Sequence, residues 1–250
     1  MDTIESLEPW FYEFDVGPLG RTRSTLPADI LPIHETRLRM VENAILLGFT
    51  PERLREIRCL DVGCHEGYYS AAMAKAGVSR VIGVDVREES IRRARFVAEA
   101  LHLSNTEFHV LNAEQLNPSL FGTFELTLFL GILYHVENPM LCLRTQSAVT
   151  TEMAVIETQV IDEVEGTTEW GAQVWTRPYE GVLALIDETG EYDADNRETG
   201  ATPLATCPSP RALEAMLKHA GFRRVELIEP PAGAYEQHTR RKRVVCAAWK

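Results

Sequence analysis

Cysteine is scarce in this chain of 250 residues, and its five copies, Cys59, Cys64, Cys142, Cys207 and Cys246, are scattered. None belongs to a Cys-x-x-Cys pair, and no group of histidines and carboxylates has the spacing of metal ligands. Disulfide frameworks and structural zinc sites depend on such patterns. The sequence therefore predicts reduced, mostly buried thiols and no metal site.

Long apolar runs are also missing. No stretch is long and apolar enough to span a bilayer, and residues 1–9 are acidic, unlike a signal peptide. We therefore expect a cytoplasmic chain without a membrane partner. A hydrophobic content of 45% over this length suits one large domain with a deep core, or one domain with a small addition.

Positive charge is in deficit, with 25 Lys and Arg residues against 37 Asp and Glu residues and a net charge of −12. Tight binding to a polyanion normally requires a basic face. The basic residues concentrate at positions 240–243 and at Arg92, Arg93 and Arg95. We interpret the second group, Arg92, Arg93 and Arg95, as a solvated helix face. The charge therefore disfavours nucleic acid as a partner without excluding it.

The most informative stretch runs over residues 59–70, Cys-Leu-Asp-Val-Gly-Cys-His-Glu-Gly-Tyr-Tyr-Ser. Its apolar start is typical of a buried parallel strand, and helical spacing resumes at Tyr69. Between them, Gly63 and Gly67 allow a sharp turn and let a ligand lie on backbone N–H groups. The stretch matches neither the dinucleotide fingerprint nor the Gly-Lys-Ser/Thr phosphate loop, so it predicts a nucleoside ligand with little or no phosphate.

A second predicted strand, residues 80–85, ends in an acid and is followed at once by helical spacing from Glu88. A carboxylate at this strand tip is placed to accept hydrogen bonds from both hydroxyls of a ribose. An aspartate before a helix is also a common N-cap. We interpret Asp85 as a ribose ligand, with the cap as the alternative.

Strands and helices continue to alternate along the chain. Further strands are predicted at residues 106–111, 124–130 and 154–158, and two more close the chain at 223–229 and 243–249. This order predicts an α/β fold at residues 51–250.

Two segments fall outside the alternation. Residues 1–50 contain an aromatic cluster and predict a lead-in that covers the site. Residues 159–207 have no regular period, and such an insertion late in an α/β domain predicts a substrate lid. Aromatic side chains of both segments are candidates to stack on a flat acceptor, or form a small core of their own. They are Trp10, Tyr12, Trp170, Trp175 and Tyr179.

The motif order resembles that of class I S-adenosylmethionine-dependent methyltransferases over residues 55–160 and 205–250. Leu60-Asp61-Val62-Gly63-Cys64-x-x-Gly67 is similar to the family's glycine-rich motif under the donor's methionine and ribose, Asp85 to its ribose-binding acid, and Asn112-Ala113-Glu114 to its segment beside adenine. The resemblance implies a Rossmann-like seven-stranded sheet with the last strand antiparallel and helices on both faces. It also implies S-adenosyl-L-methionine as cofactor, S-adenosyl-L-homocysteine as product, and a set of cofactor-binding residues: Asp61, Gly63, Cys64, Gly67, Asp85, Val86, Asn112, Ala113, Glu114, Leu130, Gly131 and Tyr134.

A narrower resemblance links residues 131–135, 138–139 and 155–158 to a subgroup that includes the tRNA wobble-uridine carboxymethyltransferases. In those enzymes a tyrosine matching Tyr134 and an arginine matching Arg243 hold the extra carboxylate of a carboxylated donor. A third contact there is an N-terminal lysine. This chain has no lysine before Lys75, so that contact is missing or supplied by an arginine such as Arg21 or Arg23.

Methyl transfer from a sulfonium is an in-line displacement, and a hydroxyl nucleophile also benefits from a nearby base. His135 is the first candidate for that base because histidine titrates near neutrality, with a structural histidine as the alternative. Tyr134 and Glu157 complete the candidate catalytic group: Tyr134 as a wall of the donor pocket, Glu157 as a base, substrate ligand or helix cap. His238 is interpreted as a surface residue.

Three hypotheses follow. The leading one is methyl transfer to a small-molecule acceptor, most often at oxygen, with a homodimer as a further expectation. The second is methyl or carboxymethyl transfer to a tRNA wobble uridine, and the third is donor binding without catalysis.

Overall fold

The structure, a computed structural model, describes residues 2–170, 173–190, 192–193, 200 and 202–250, with only the backbone of residues 170 and 173–176. The strands are β1 (Arg58–Val62), β2 (Arg80–Asp85), β3 (Thr106–Val110), β4 (Phe124–Leu130), β5 (Thr150–Gln159), β6 (Thr167–Trp170), β7 (Gln173–Pro178), β8 (Leu183–Asp187), β9 (Leu204–Pro208), β10 (Arg224–Ile228) and β11 (Arg243–Trp249). The helices are α1 (Pro32–Leu46), α2 (Pro51–Leu54), α3 (Tyr68–Lys75), α4 (Glu88–Ala100), α5 (Pro118–Phe121), α6 (Pro139–Val149), α7 (Pro210–Ala220) and α8 (Glu236–Thr239).

Seven strands form one sheet in the order β10–β11–β5–β4–β1–β2–β3. β11 runs antiparallel to both neighbours, β10 and β5, and the other four pairs are parallel. This confirms the predicted Rossmann-like sheet with its last strand antiparallel. The strand order reverses between β1 and β4, and open α/β sheets bind ligands outside the carboxyl ends of the strands at such a point.

The central strands are buried on both faces, as their nearly continuous apolar sequences predict. Cys59 of β1 packs with Met40 of α1 in the core on one side of the sheet. Its neighbour Leu60 belongs to the core on the other side, with Leu143 of α6 and Leu217 of α7. Because both faces are covered, the carboxyl edge of the sheet is left for a ligand.

The N-terminal segment, residues 2–31, is tied to the domain by buried polar contacts. Arg93 of α4 is only 4% exposed and donates from Nε to the Leu7 carbonyl at 2.6 Å. The interpretation of Arg93 as part of a solvated helix face is therefore wrong. The carboxylate of Glu66, in the glycine loop, accepts the backbone N–H groups of Phe11 and Tyr12 at 3.0 Å. The segment thus lies over that loop.

The insertion at residues 159–207 contains strands that its lack of period concealed. β6 pairs with β7 and β8 with β9, both antiparallel. β9 packs beside the 3-10 turn Leu133–His135, where the Thr206 hydroxyl lies 3.5 Å from the Leu133 carbonyl. Gly200 approaches the same turn so closely that a Cβ there would lie 2.6 Å from the His135 carbonyl oxygen. The insertion therefore packs against the edge where the predicted site lies.

Candidate active site

The turn after β1 depends on its glycines. Gly63 has φ +71, and a Cβ at this position would lie 2.1 Å from Cδ1 of Ile132. The N–H of Gly63 bonds to the Val84 carbonyl at 2.7 Å, which fixes the turn to β2. Gly67, with φ +79, begins α3, and a Cβ there would meet Phe108 at 3.2 Å. One glycine gives the turn its conformation beside Ile132, and the other lets the loop pack closely on β3.

Asp85 ends β2 as predicted and is 7% exposed. Its carboxylate accepts the N–H of His65 at 3.0 Å and the N–H of Arg87 at 2.9 Å. Burial raises the pKa of Asp85, and these backbone hydrogen bonds oppose the rise. The second contact is a turn bond to Arg87, which itself occupies the N-cap position of α4, so Asp85 is not the N-cap of that helix. Asp85 also faces the cavity described next, where a ribose would have access to it.

A cavity of about 480 Å³ opens at the carboxyl edge of the sheet, between the N-terminal segment, α1 and the insertion. This volume lies within the usual range for small-ligand sites. Many of the predicted site residues line it: Tyr12, Gly63, Asp85, Val86, Asn112, Ala113, Leu130, Gly131, Tyr134, His135 and Arg243. Gln159, Glu188 and Gly200 of the predicted lid line it as well.

Several predicted cofactor residues lie behind the cavity wall. Asp61 is 1% exposed and accepts a hydrogen bond from the Ser70 hydroxyl at 2.6 Å. Burial raises its pKa to about 6, opposed by that hydrogen bond. Cys64 is buried, Gly67 packs on β3, and Glu114 contacts Asn138 at 3.3 Å. None of these four residues lines the cavity, so in this structure they support the fold around the site.

The aromatic candidates divide in the same way. Tyr12 lines the cavity, whereas Trp10 is 1% exposed, donates its indole N–H to the Ile4 carbonyl at 3.0 Å and packs 6.0 Å from Phe14. Trp10 is therefore a core residue of the N-terminal segment, and its assignment to the acceptor is wrong. Tyr179 packs against Gly166 and also lies away from the cavity. The side chains of Trp170 and Trp175 fall outside the described residues.

Glu157 is the centre of a buried charge cluster. Arg243 donates from Nη1 to its carboxylate at 2.9 Å, and Nε of Arg37 lies 3.4 Å away. Burial alone would raise the pKa of Glu157, but the two guanidinium groups outweigh it and hold that pKa below its usual value. With no exposed surface and two cationic partners, Glu157 acts as a counter-ion, which leaves it unsuited to the predicted role of base.

The other groups of Arg243 are also engaged. Its Nε donates to Gln237 at 2.9 Å, and its Nη2 donates to the Tyr134 hydroxyl at 2.8 Å. The guanidinium carbon lies 4.9 Å from the centre of the Tyr134 ring. Tyr134 and Arg243 are thus brought together, as the resemblance implied.

His135 lines the cavity, and its ring lies 4.0 Å from that of Tyr134. Burial, with help from Arg243, lowers the pKa of His135 to about 4. Within the described part of the chain its ring nitrogens have no hydrogen-bond partner. The imidazole is therefore neutral at physiological pH, and its lowered pKa makes it a weaker base than the near-neutral histidine that the sequence predicted.

Three polar residues of the site or its surroundings were missed or misread from the sequence. His34 and Arg37, both on α1, line the cavity and are each 6% exposed. His238, interpreted as a surface residue, is fully buried with Nε2 3.8 Å from Glu157. Arg21 and Arg23, the suggested replacements for the missing lysine, are exposed and do not line the cavity. The only sequence signal for Arg37 and His34 was their one-turn spacing on a helix.

Among the described residues, no three or more His, Cys, Asp and Glu side chains group as a metal site would require. In the same residues, no helix is long and apolar enough to cross a membrane.

Comparison with known proteins agrees with this geometry. The methyltransferase-domain family matches residues 54–182. A tRNA U34 carboxymethyltransferase of Shewanella loihica is 30% identical over 185 residues, which are 70% of this chain and 47% of that protein. A ubiquinone biosynthesis O-methyltransferase of Neisseria meningitidis is 31% identical over 91 residues, 36% of this chain and 38% of the relative. The chain thus spans less than half the length of either relative.

Among solved structures, the N-terminal domain of EvdMO1, determined in the presence of SAH and D-fucose, superposes with a TM-score of 0.70. The alignment covers 98% of this chain and 93% of that one at 22% identity, a likeness of fold. The family match spans more than half of the chain and includes the glycine turn, Asp85 and the start of the insertion. The chain belongs to the class I S-adenosylmethionine-dependent methyltransferases.

Proposed function

We propose that this chain transfers the methyl group of S-adenosylmethionine to a hydroxyl of a small molecule. The observation that carries the proposal is His135, a neutral imidazole without a partner among the described residues, on the wall of the cavity. A hydroxyl is a weak nucleophile, and a base within hydrogen-bond reach assists its attack. His135 takes the hydroxyl proton as the oxygen attacks the methyl group and the sulfonium leaves as a neutral thioether.

In the proposed complex, the ends of the strands bind the donor. Its ribose hydroxyls donate to Asp85, its adenine lies beside Asn112 and Ala113, and its methionine part lies over Gly63. These assignments follow the order of the cavity wall from β3 to β1. In this arrangement the methyl group points toward the part of the cavity that His135 lines.

Arg37 is suited to hold the carboxylate of the donor's methionine part. A Cβ placed on Gly131 would lie 3.4 Å from Nη1 of Arg37, so the guanidinium reaches the end of β4. In the described part of the chain its ion pair is with Glu157 through Nε, and the guanidinium also lies close to Tyr69. Arg37 lines the cavity, where the rest of the guanidinium is available to a carboxylate. A guanidinium edge matches the geometry of a carboxylate.

A small acceptor is supported by the cover over the cavity and by the charge. The N-terminal segment and the insertion both contribute to the cavity wall, through Tyr12 and Glu188 among others. The net charge of −12 works against a polyanionic acceptor. The ubiquinone biosynthesis O-methyltransferase of Neisseria meningitidis is a relative whose name points to a small acceptor.

The test compares His135→Gln with the unmodified chain in an acceptor screen that follows release of S-adenosylhomocysteine. We expect the rate to fall by roughly 10²-fold or more, the usual contribution of a general base, with donor affinity unchanged. His219→Gln, an exposed histidine on α7, is the matched control. Methylation at nitrogen or carbon in the product, or full activity of His135→Gln, would contradict the proposal.

Carboxymethyl transfer to tRNA is the second candidate, favoured by the 2.8 Å hydrogen bond between Arg243 and Tyr134 and by the Shewanella relative. Native mass spectrometry of the purified protein separates the two candidates, because a carboxylated donor has a distinct mass. A tRNA gel shift at physiological salt provides the second criterion. Donor binding without product release for any acceptor would support the non-catalytic alternative.

A further inference from the structure

The part of the cavity wall beyond the donor carries uncharged polar groups. We call this part the acceptor wall, and its polar members are His34, Tyr134, His135, Gln159 and Gln237. Amides donate and accept hydrogen bonds, and a neutral imidazole does both through its two nitrogens. Such a set matches hydroxyl groups, which also donate and accept.

His34 is the least explained member. It is 6% exposed, and within the described residues its Nε2 atom is buried without a hydrogen-bond partner. Burial, with Arg37 nearby, lowers its pKa to about 3, so the ring is neutral. Leaving a buried polar group unpaired costs about 1–3 kcal/mol. Nε2 has almost no accessible surface, so a ligand hydroxyl recovers that cost once a small rotation of the ring exposes the nitrogen to the cavity.

The cations near the acceptor wall are already engaged. Arg243 donates to Glu157, Gln237 and Tyr134, and the proposed function assigns Arg37 to the donor. Arg87, the third arginine of the cavity wall, lies near His135 and also has an interaction partner, and Glu188 on the insertion side repels an anion. The cavity therefore offers an acidic acceptor few interactions that would compensate for the loss of its hydration.

The rest of the wall is apolar and partly aromatic, and comes from the N-terminal segment and α1. Its members are Phe11, Tyr12, Leu26, Ile30 and Ile33. The His34 ring lies 4.4 Å from Tyr12 and 4.9 Å from Phe11, so hydrogen-bonding and apolar surfaces alternate at short range. A ring with hydroxyls at its edge and C–H groups on its face matches such a surface.

We infer that the acceptor is an uncharged, polyhydroxylated ring of the monosaccharide class, with one hydroxyl methylated at His135 and a second bound by His34. This inference rests on the proposed function and deepens it by naming the acceptor class. His34 acts as a specificity residue that holds the ring in place.

The first experiment measures binding without turnover. Saturation-transfer NMR on the protein loaded with S-adenosylhomocysteine compares D-glucose, D-galactose and D-mannose with their uronic acids, which differ only in a carboxylate at C6. We expect at least one neutral sugar to bind about tenfold more tightly than its uronic acid. Tighter binding of the uronic acids, or no binding of any neutral sugar at millimolar concentration, would overturn the inference.

The second experiment tests His34 directly. His34→Phe should weaken binding of the preferred sugar by about tenfold or more, because the ring loses its hydrogen bond. His34→Asn, which keeps a hydrogen-bonding group, should retain part of the affinity. This variant provides the test if His34→Phe does not fold. The affinity for S-adenosylhomocysteine should stay unchanged in both variants, and His219→Asn is the control.

The results separate the inference from the proposed function. Methyl transfer to an anionic or monohydroxylated acceptor would sink the inference and leave O-methylation intact. Sugar binding that depends on His34 without any methyl transfer would support the inference about the ligand and contradict the proposed function. An equal loss of sugar and donor affinity in His34→Asn would show a structural role and count against the inference.

Discussion

Glu66, in the glycine turn, accepts the backbone N–H of Phe11 on both carboxylate oxygens at 3.0 Å, across 55 residues of sequence. The side chain is fully buried, and Arg93 lies 3.9 Å away. The N-terminal segment that covers the cavity and the glycine turn are therefore joined by one carboxylate.

Glu66→Gln should lower the free energy of unfolding by about 1–3 kcal/mol, because an amide has a single acceptor oxygen and no charge. Urea denaturation measures the loss, and hydrogen exchange at Phe11 and Tyr12 should become faster. Glu56→Gln, in an exposed pair with Arg53, is the control and should change stability by less than about 0.5 kcal/mol. Unchanged exchange at Phe11 would show that Glu66 does not fasten the segment.

Gly63→Ala should abolish donor binding or leave the protein much less stable. The residue has φ +71, and the new Cβ would lie 2.1 Å from Ile132. The double variant with Ile132→Ala should recover stability in part, since it removes the collision but not the backbone strain. Gly190→Ala, where no atom lies within 4 Å, is the control. Calorimetric titration with S-adenosylhomocysteine checks the affinity, and normal binding by Gly63→Ala would refute the placement of the donor.

Asp85→Ala should weaken S-adenosylhomocysteine binding by about 1–3 kcal/mol through loss of the hydrogen bonds to ribose. Part of any loss of stability will come from the N–H groups of His65 and Arg87, which donate to this carboxylate. Asp85→Asn keeps one acceptor oxygen and should separate the two effects. A 2′,3′-dideoxy analogue of S-adenosylhomocysteine should bind the variant and the unmodified protein equally. A persistent difference would argue that Asp85 acts only through its bonds to the backbone of His65 and Arg87.

Arg37→Met should weaken S-adenosylhomocysteine binding by about 1.5–3 kcal/mol, the scale of hydrogen bonds to charged groups. The variant should no longer distinguish that ligand from its decarboxylated analogue, whereas the unmodified protein should. Arg39→Met, exposed on the same helix, is the matched control. Retained discrimination in Arg37→Met would place the donor carboxylate elsewhere.

Acid should destabilise the fold below neutrality. Burial lowers the pKa of His34 to about 3 and those of His135 and His238 to about 4. As the pH falls, the unfolded chain binds protons near pH 6.5 while the folded chain does not, so stability is full above about pH 6.5 and is lost toward pH 4. His238→Gln should reduce the slope in this window by up to about 1.4 kcal/mol per pH unit, and His219→Gln should not. Urea melts between these pH values provide the test.

The sequence predicted the framework well because buried parallel strands leave a local signature. β2, β4 and β11 have the bounds that their apolar runs indicate, and the glycine turn lies where Gly63 and Gly67 place it. β5 begins at Thr150, earlier than predicted, because its first residues are polar although they pair with β4. Strands of the insertion escaped notice because β8 is largely exposed, with Leu185 at 69%, so it lacks an alternating pattern.

Site residues could be predicted only where they lie in or next to a strand end or turn that is recognisable in the sequence. Asp85 ends β2 and His135 lies in the turn after β4, so their position could be inferred from the chain alone. Arg37, His34 and His238 look like ordinary polar positions of helices, and only the tertiary packing shows that they are buried around Glu157 or the cavity. Trp10 shows the opposite case, since an aromatic cluster was read as a surface for the acceptor and proved to be core.

One feature of α1 links the two substrates. His34 and Arg37 lie one turn apart on the same face of this helix, and in the proposed complex one contacts the acceptor and the other the donor. A ligand that orders the helix for one partner lowers the entropic cost of binding the other. Such coupling is reciprocal. S-adenosylhomocysteine must change the dissociation constant of the acceptor by the same factor by which the acceptor changes the dissociation constant of S-adenosylhomocysteine. Helix α1 would then make the binding of the two substrates cooperative without direct contact between them.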